Sequence, residues 1–169
     1  MATRVTLSDC RAAFVYLDKP RENKFEPDKP PKYQLTLLFE EGSNQHAELQ
    51  KAIEAEMENV EVLGKPLRKL RYELIKDGDD KDYEGFPGRL YVEPKSNDPV
   101  AVVGPDIAPI PPKNVYPGSY VNASLNVAAY DYSGSKGVTL YLNGVQFVRD
   151  GDRFGGGAPS VDSMFKQLS

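Results

Sequence analysis

Tryptophan is absent from the chain, and cysteine and histidine occur once each, as Cys10 and His46. A single cysteine excludes an intramolecular disulfide, and one of each excludes a Cys/His zinc site. A Cys–His or Ser–His–Asp constellation could be built only through His46, which stands in an acidic stretch. Also missing is any apolar run near the roughly 18 residues of a membrane-spanning helix, or the apolar core of a signal peptide. The expectation is a soluble, cytosolic protein. What is present is 169 residues, suited to one domain or one domain with a tail. A domain of that size hides about 70% of the surface its unfolded chain exposes, so it can fold without staples.

The formal net charge is −4, which by itself argues against a nucleic-acid binder. Its distribution does not. Glu40 to Glu61 holds seven acids against Lys51, a local −6 that leaves +2 for the remainder. A ligand senses local sign within a Debye length of about 8–10 Å.

Gly and Pro, 14 of each, fall between short apolar runs. Arg11–Leu17 (RAAFVYL) reads as a strand, and the Pro-rich Asp18–Lys32 cannot be helical. In Tyr33–Phe39, Tyr33, Leu35, Leu37 and Phe39 share one face at period two. One helix is expected, capped by Ser43 or Asn44 and stopped by Gly64. Leu90–Val92 and the end of NDPVAVV (97–103) are further strands. Two long strands follow. Val121, Ala123, Leu125, Val127 and Ala129 line one face of the first, and Val138, Leu140 and Leu142 one face of the second. A hairpin turn at Gly134–Gly137 joins them, and Gly144 marks a bulge. Five to seven strands with one main helix suit a mainly β domain, an OB-fold-type five-stranded barrel with extra strands and loops. That domain is expected over residues 1–150, with 151–169 as a flexible C-terminal tail.

The acidic knot Asp77, Asp79, Asp80, Asp82 and Glu84 invites a metal, and a Mg²⁺-dependent nuclease would use Asp77, Asp79, Asp80 and Glu84. An EF-hand template counted from Asp77 fails, because its fifth and sixth places hold Lys81 and Asp82. A solvated turn is the plainer reading, and no metal or cofactor is expected. Cys10 and His46 read as inert, and the glycine runs form no phosphate loop.

The stronger pattern is aromatic and basic. Alternation puts Tyr91, Tyr120, Tyr130 and Tyr141 on the non-core face, near Arg89, Lys95, Asn122, Asn126 and Arg149. Rings spaced by amides and cations suit an unpaired nucleic-acid strand, whose bases stack while Lys and Arg meet phosphates. Tyrosines that merely cover a sheet surface would look the same.

Three stretches, PKYQLTLLF (31–39), IKDGDDKDYEGFPGRLYV (75–92) and VYPGSYVNASLNVAAYDYSGSKGVTLYLNGVQFVRDGDRFGG (115–156), resemble a family of bacteriophage single-stranded DNA-binding proteins. The resemblance covers most of residues 1–157. It implies an OB-fold, no catalysis, and non-sequence-specific binding of single-stranded DNA during phage replication or recombination, in the cytoplasm of the infected bacterial host. Phage replication proteins are the further partners it implies. Such proteins often end in an acidic tail; here Gly151–Ser169 sets Asp152 and Asp162 against Arg153 and Lys166, a net of zero.

On this reading Tyr91, Tyr120 and Tyr130 stack bases, with Phe86 and Tyr83 as lesser platforms. Arg89, Lys95, Lys113 and Arg149 meet phosphates, and Lys65, Arg68, Lys69 and Arg71 extend the track. Asn122 and Asn126 supply hydrogen bonds that demand no one base. A phage structural or protein-interaction module is the remaining alternative.

Overall fold

A computed structural model describes residues 2–154, apart from Asn23 and Arg71. Eight strands and two helices occur in it: β1 (Thr3–Arg21), β2 (Lys32–Phe39), α1 (Asn44–Met57), α2 (Val60–Leu63), β3 (Lys76–Asp77), β4 (Leu90–Val92), β5 (Lys95–Ser96), β6 (Ala101–Val103), β7 (Tyr120–Tyr132) and β8 (Ser135–Arg149). Strand order β1-β7-β8-β5-β2 closes on itself, because β1 also pairs with β2. The sheet is therefore a ring, with β4 and β3 continuing from β2 and β6 lying parallel to β8.

Closure depends on β1, which changes partners at Arg11. That residue sits opposite Tyr120 of β7 and Leu38 of β2. Two bulges bend the strand through the corner. Register slips between Leu7 and Cys10, and again between Ala13 and Tyr16, and the positive-φ residues Asp9 (57°) and Phe14 (44°) lie at those slips. Each slip reverses the side-chain phase, so the inward set runs Val5, Leu7, then Cys10, Ala12, then Val15, Leu17.

The ring's interior is apolar. Leu35 and Leu37 of β2, Val92 of β4, alternate residues Val121 to Val127 of β7, and Leu140, Leu142 and Val145 of β8 meet there. The jump from Leu142 to Val145 records a third bulge at Asn143–Gly144, where the glycine was expected to mark one. Helix α1 covers this interior with Leu49, Ala52 and Ile53. Fully burying each such aliphatic side chain contributes about 1.5–3 kcal/mol.

The helix does not run unbroken to Gly64. Ser43 caps α1 by accepting from the His46 N–H at 3.2 Å. After Met57 the Asn59 side-chain Oδ1 accepts from the Val62 N–H, while its side-chain amide donates to Glu56 at 3.1 Å. A side chain that satisfies backbone groups locally competes with helix continuation, and only the four-residue α2 reaches Gly64. The β7–β8 turn also falls earlier than its glycine pattern suggests. Its two-residue tip is Ser133-Gly134, both at positive φ (51° and 92°), the geometry that matches strand twist.

Candidate nucleic-acid interface

On the ring's outer face a second, smaller apolar cluster has formed: Ala13 of β1, Leu38 of β2, Tyr91 of β4, Phe86 and Phe154. Phe86 belongs to the loop between β3 and β4, which is stitched together by its own groups. Asp77 accepts from the Asp79 N–H (2.9 Å), Asp79 from the Gly88 N–H (2.6 Å), and Arg89 donates to the Gly85 carbonyl (2.9 Å). Gly78 is required here, since a Cβ would stand 2.1 Å from the Phe86 carbonyl oxygen. Two of the carboxylates that the sequence offers to a metal, Asp77 and Asp79, thus serve as turn acceptors. Among the described residues no three acids, histidines or cysteines gather to hold an ion.

Around this cluster the surface opens. Phe14, thrown outward by its bulge and 41% exposed, meets Tyr83 edge-on at 4.8 Å, and Tyr83 meets Phe86 at 5.3 Å. With Tyr16, Arg21, Thr36, Lys81 and Glu93 they line a groove of about 280 Å³. Lys81, Tyr91 and Glu93 also line a neighbouring groove of about 920 Å³, which continues past Lys76, Lys95 and Lys32 to Tyr72 and Tyr141. That larger groove balances four lysines (Lys32, Lys76, Lys81, Lys95) with four acids (Glu73, Asp77, Asp80, Glu93). One pair is direct, Lys76 with Glu93 at 3.6 Å.

The residues singled out from sequence are dispersed over this surface. Tyr91 stands outside the main core, as alternation requires, yet it is not an open platform. It is 4% exposed and Phe86 2%, their rings 5.0 Å apart under the loop and Phe154. Burial, then the nearby Glu93, Asp80 and Tyr83, pushes the Tyr91 phenol above its ordinary pKa, so it is a neutral wall of both grooves. Tyr83 is half exposed at the groove mouth, and Lys95 lines the larger groove beside Tyr141. Arg89 is committed to the loop.

Tyr120 lies between two guanidinium groups, Arg149 at 3.9 Å and Arg11 at 4.8 Å from its centroid. Arg149 is also paired with Asp9 at 2.7 Å. Asn122 is tied to Gln146 and to the Asp9 N–H, and Asn126 accepts from Asn143. Tyr130 packs near Tyr132 toward the β7–β8 tip, its hydroxyl over Gly137. Lys113 stands in a separate groove. Lys65, Arg68 and Lys69 are exposed on the loop after α2 and line neither of the first two grooves. Arg71 lies outside the described residues.

Against the expected tail boundary, Gly151–Phe154 pack on the body. Gly151 donates to the Tyr116 hydroxyl at 3.1 Å, and Phe154 donates to the Pro117 carbonyl and is 8% exposed. The remainder of the expected tail, 155–169, lies outside the described residues.

A family model described as "Enterobacter phage Enc34, ssDNA-binding protein" matches residues 3–168. The chain belongs to this family. A relative named "Putative protein p50", from Acyrthosiphon pisum secondary endosymbiont phage 1, is 42% identical over 98 residues, 56% of this chain. The match spans 52% of that relative, about half its length. Among solved structures, the single-stranded DNA-binding protein from bacteriophage Enc34 in complex with ssDNA is similar at TM-score 0.73 and 22% identity, over 90% of this chain and 89% of that one. The single-stranded DNA-binding protein gp2.5 encoded by bacteriophage T7 is similar at TM-score 0.61 and 15% identity, over 94% and 98%. At these identities the two likenesses concern the fold.

Within this Enc34-type chain, Phe14, Tyr16, Arg21 and Lys81 form much of the smaller groove's lining, and the sequence pattern does not single them out as binding residues. Tyr141 was visible as an outward tyrosine. Phe14 could have been suspected from RAAFVYL, where aromatic residues interrupt a clean alternation. Lys81 was hidden inside an acidic knot.

Proposed function

We propose that the protein binds single-stranded DNA without sequence specificity, in the outer-face groove that runs from Phe14 and Tyr16 to Tyr141. The observation that carries this reading is the arrangement of Phe14, Tyr16 and Tyr83 around Arg21 and Lys81. Rings offer faces to any base, and the adjacent cations neutralise phosphates. Membership of a family described by ssDNA binding supports the same reading. The five-strand ring is then an OB-type closure, its binding domain running through the expected residues 1–150 and on to the packed Gly151–Phe154. Tyr120, Tyr130, Asn122, Asn126, Arg89, Arg149, Lys65, Arg68, Lys69 and Arg71 remain candidates for its margins. It acts as a binder, not an enzyme, in phage DNA replication and recombination in the host cytoplasm.

The test is fluorescence anisotropy with a labelled oligothymidylate at two salt concentrations. Phe14→Ala/Tyr83→Ala removes two exposed rings, each worth roughly 1–3 kcal/mol of stacking. Affinity is expected to fall by about 1.5 to 4 orders of magnitude. For the wild type, log K should decline by about 0.7 per neutralised phosphate for each tenfold rise in salt. A folded double variant that binds as tightly as the wild type overturns the reading. So does Mg²⁺-dependent loss of the oligonucleotide.

A further inference from the structure

Tyr16 lines the stacking groove on one side and a different groove on the other. This second space, about 320 Å³, lies between β1 and the Pro112–Asn114 turn, with Tyr116 and Arg153 in its wall. Three cations line it, Lys19, Lys113 and Arg153, against the single acid Asp18. All three are exposed, and among the described residues none has an ion-pair partner. The Arg153 guanidinium lies 4.9 Å from the centroid of Tyr116. That ring is fixed in turn by its hydroxyl, which donates to Asp150 at 2.7 Å.

We infer that this groove is a second phosphate-holding segment of the DNA path, entered past Tyr16 by a strand already seated among Phe14, Tyr16 and Tyr83. The inference rests on the proposed function and extends it to a longer footprint. Charge supports a nucleic-acid occupant. The groove beside Tyr141 is internally neutral and partly paired, whereas this one presents positive charge without an ion-pair partner beside the half-buried rings of Tyr16 and Tyr116. Continuity supports the same strand, because one side chain forms a wall of both spaces. Lys19 and Lys113 break no ion pair when phosphates arrive, and each phosphate neutralised in this segment adds to the salt dependence.

The experiment compares oligothymidylates of about 5 and about 16 nucleotides, near the bounds of the usual site size for one such domain. Each is titrated against the wild type and Lys113→Glu/Arg153→Glu. The long oligonucleotide is expected to bind the variant at least tenfold more weakly, with a salt slope shallower by about 1.4 for two lost phosphate contacts. The short one is expected to bind both proteins within about twofold. Equal weakening at both lengths overturns the inference in favour of a general charge effect. Unchanged binding at both lengths overturns it too, and is the result expected if the groove takes an acidic protein segment. Failure of the wild type to bind either length instead defeats the proposed function. Lys113→Gln, at an exposed turn position, gives the same length comparison should the double reversal lower the melting temperature.

Discussion

The two faces of the ring's strands divide the molecule's work. On β2, Leu35, Leu37 and Phe39 turn inward to α1 and the opposite strands, while Gln34, Thr36 and Leu38 turn outward. The inner side is continuous hydrocarbon. The outer side is a small cluster roofed by a loop, with rings and cations standing at its margin. If the proposed function holds, stability and recognition sit on alternate residues of one strand, and a substitution should disturb one property while sparing the other.

Breaking the inner face gives the largest effect. Leu35→Ala should cost about 2–5 kcal/mol by chemical denaturation, with the folded fraction retaining wild-type affinity for oligothymidylate. A matching loss of affinity in that folded fraction would erase the distinction between faces.

A middle-sized effect tests where α1 is latched to the ring. Glu56 is 5% exposed and accepts from Thr3 (2.7 Å), Asn59 (3.1 Å) and the Ala129 N–H (3.2 Å). Burial pushes its carboxyl upward, but those hydrogen bonds outweigh it and hold the group below the ordinary value of 4.5. A lowered folded-state pKa gives stability that is present above the unfolded value and lost as pH falls through the folded one. The melting-temperature advantage of wild type over Glu56→Gln should hold at neutral pH and shrink below about pH 4.5. DNA affinity at neutral pH should not change.

The smallest effect belongs to the outer face. Glu93 lines both of these grooves, and on the proposed function its carboxylate would oppose incoming phosphates. Glu93→Gln should tighten oligothymidylate binding a few-fold at low salt, about 1 kcal/mol or less for a partly exposed charge, with no loss of stability. Weaker binding would show that Glu93 instead positions Lys76.

Much of the inner face was readable in the chain. The alternation of Val121 to Val127, the run Leu35, Leu37, Phe39 and the bulge at Gly144 all lie where period two and glycine place them. Local pattern does not carry what depends on distant chain. Nothing around Leu90–Val92 reveals that Phe86 and Phe154 will close over Tyr91. The two bulges of β1 reverse its phase twice, so Phe14 emerges where simple alternation gives no fixed side. The helix break is not legible in the apolar spacing, which continues to Val60, because Asn59 acts through its side chain.

The partner change of β1 at Arg11 has a kinetic consequence. Phe14, Tyr16 and Arg21 all follow that switch, on the half of the strand held by β2, whereas the half held by β7 precedes it. The smaller groove is thus lined from β1, β2 and the segment 81–93, whereas the pairing that joins the first strand to a late one is β1 with β7. Such non-local pairing is slow to form because its loop-closure entropy must be met first. The walls of that groove can therefore come together before β7 closes the ring, so competence to engage a ligand should begin to appear ahead of the final phase of folding.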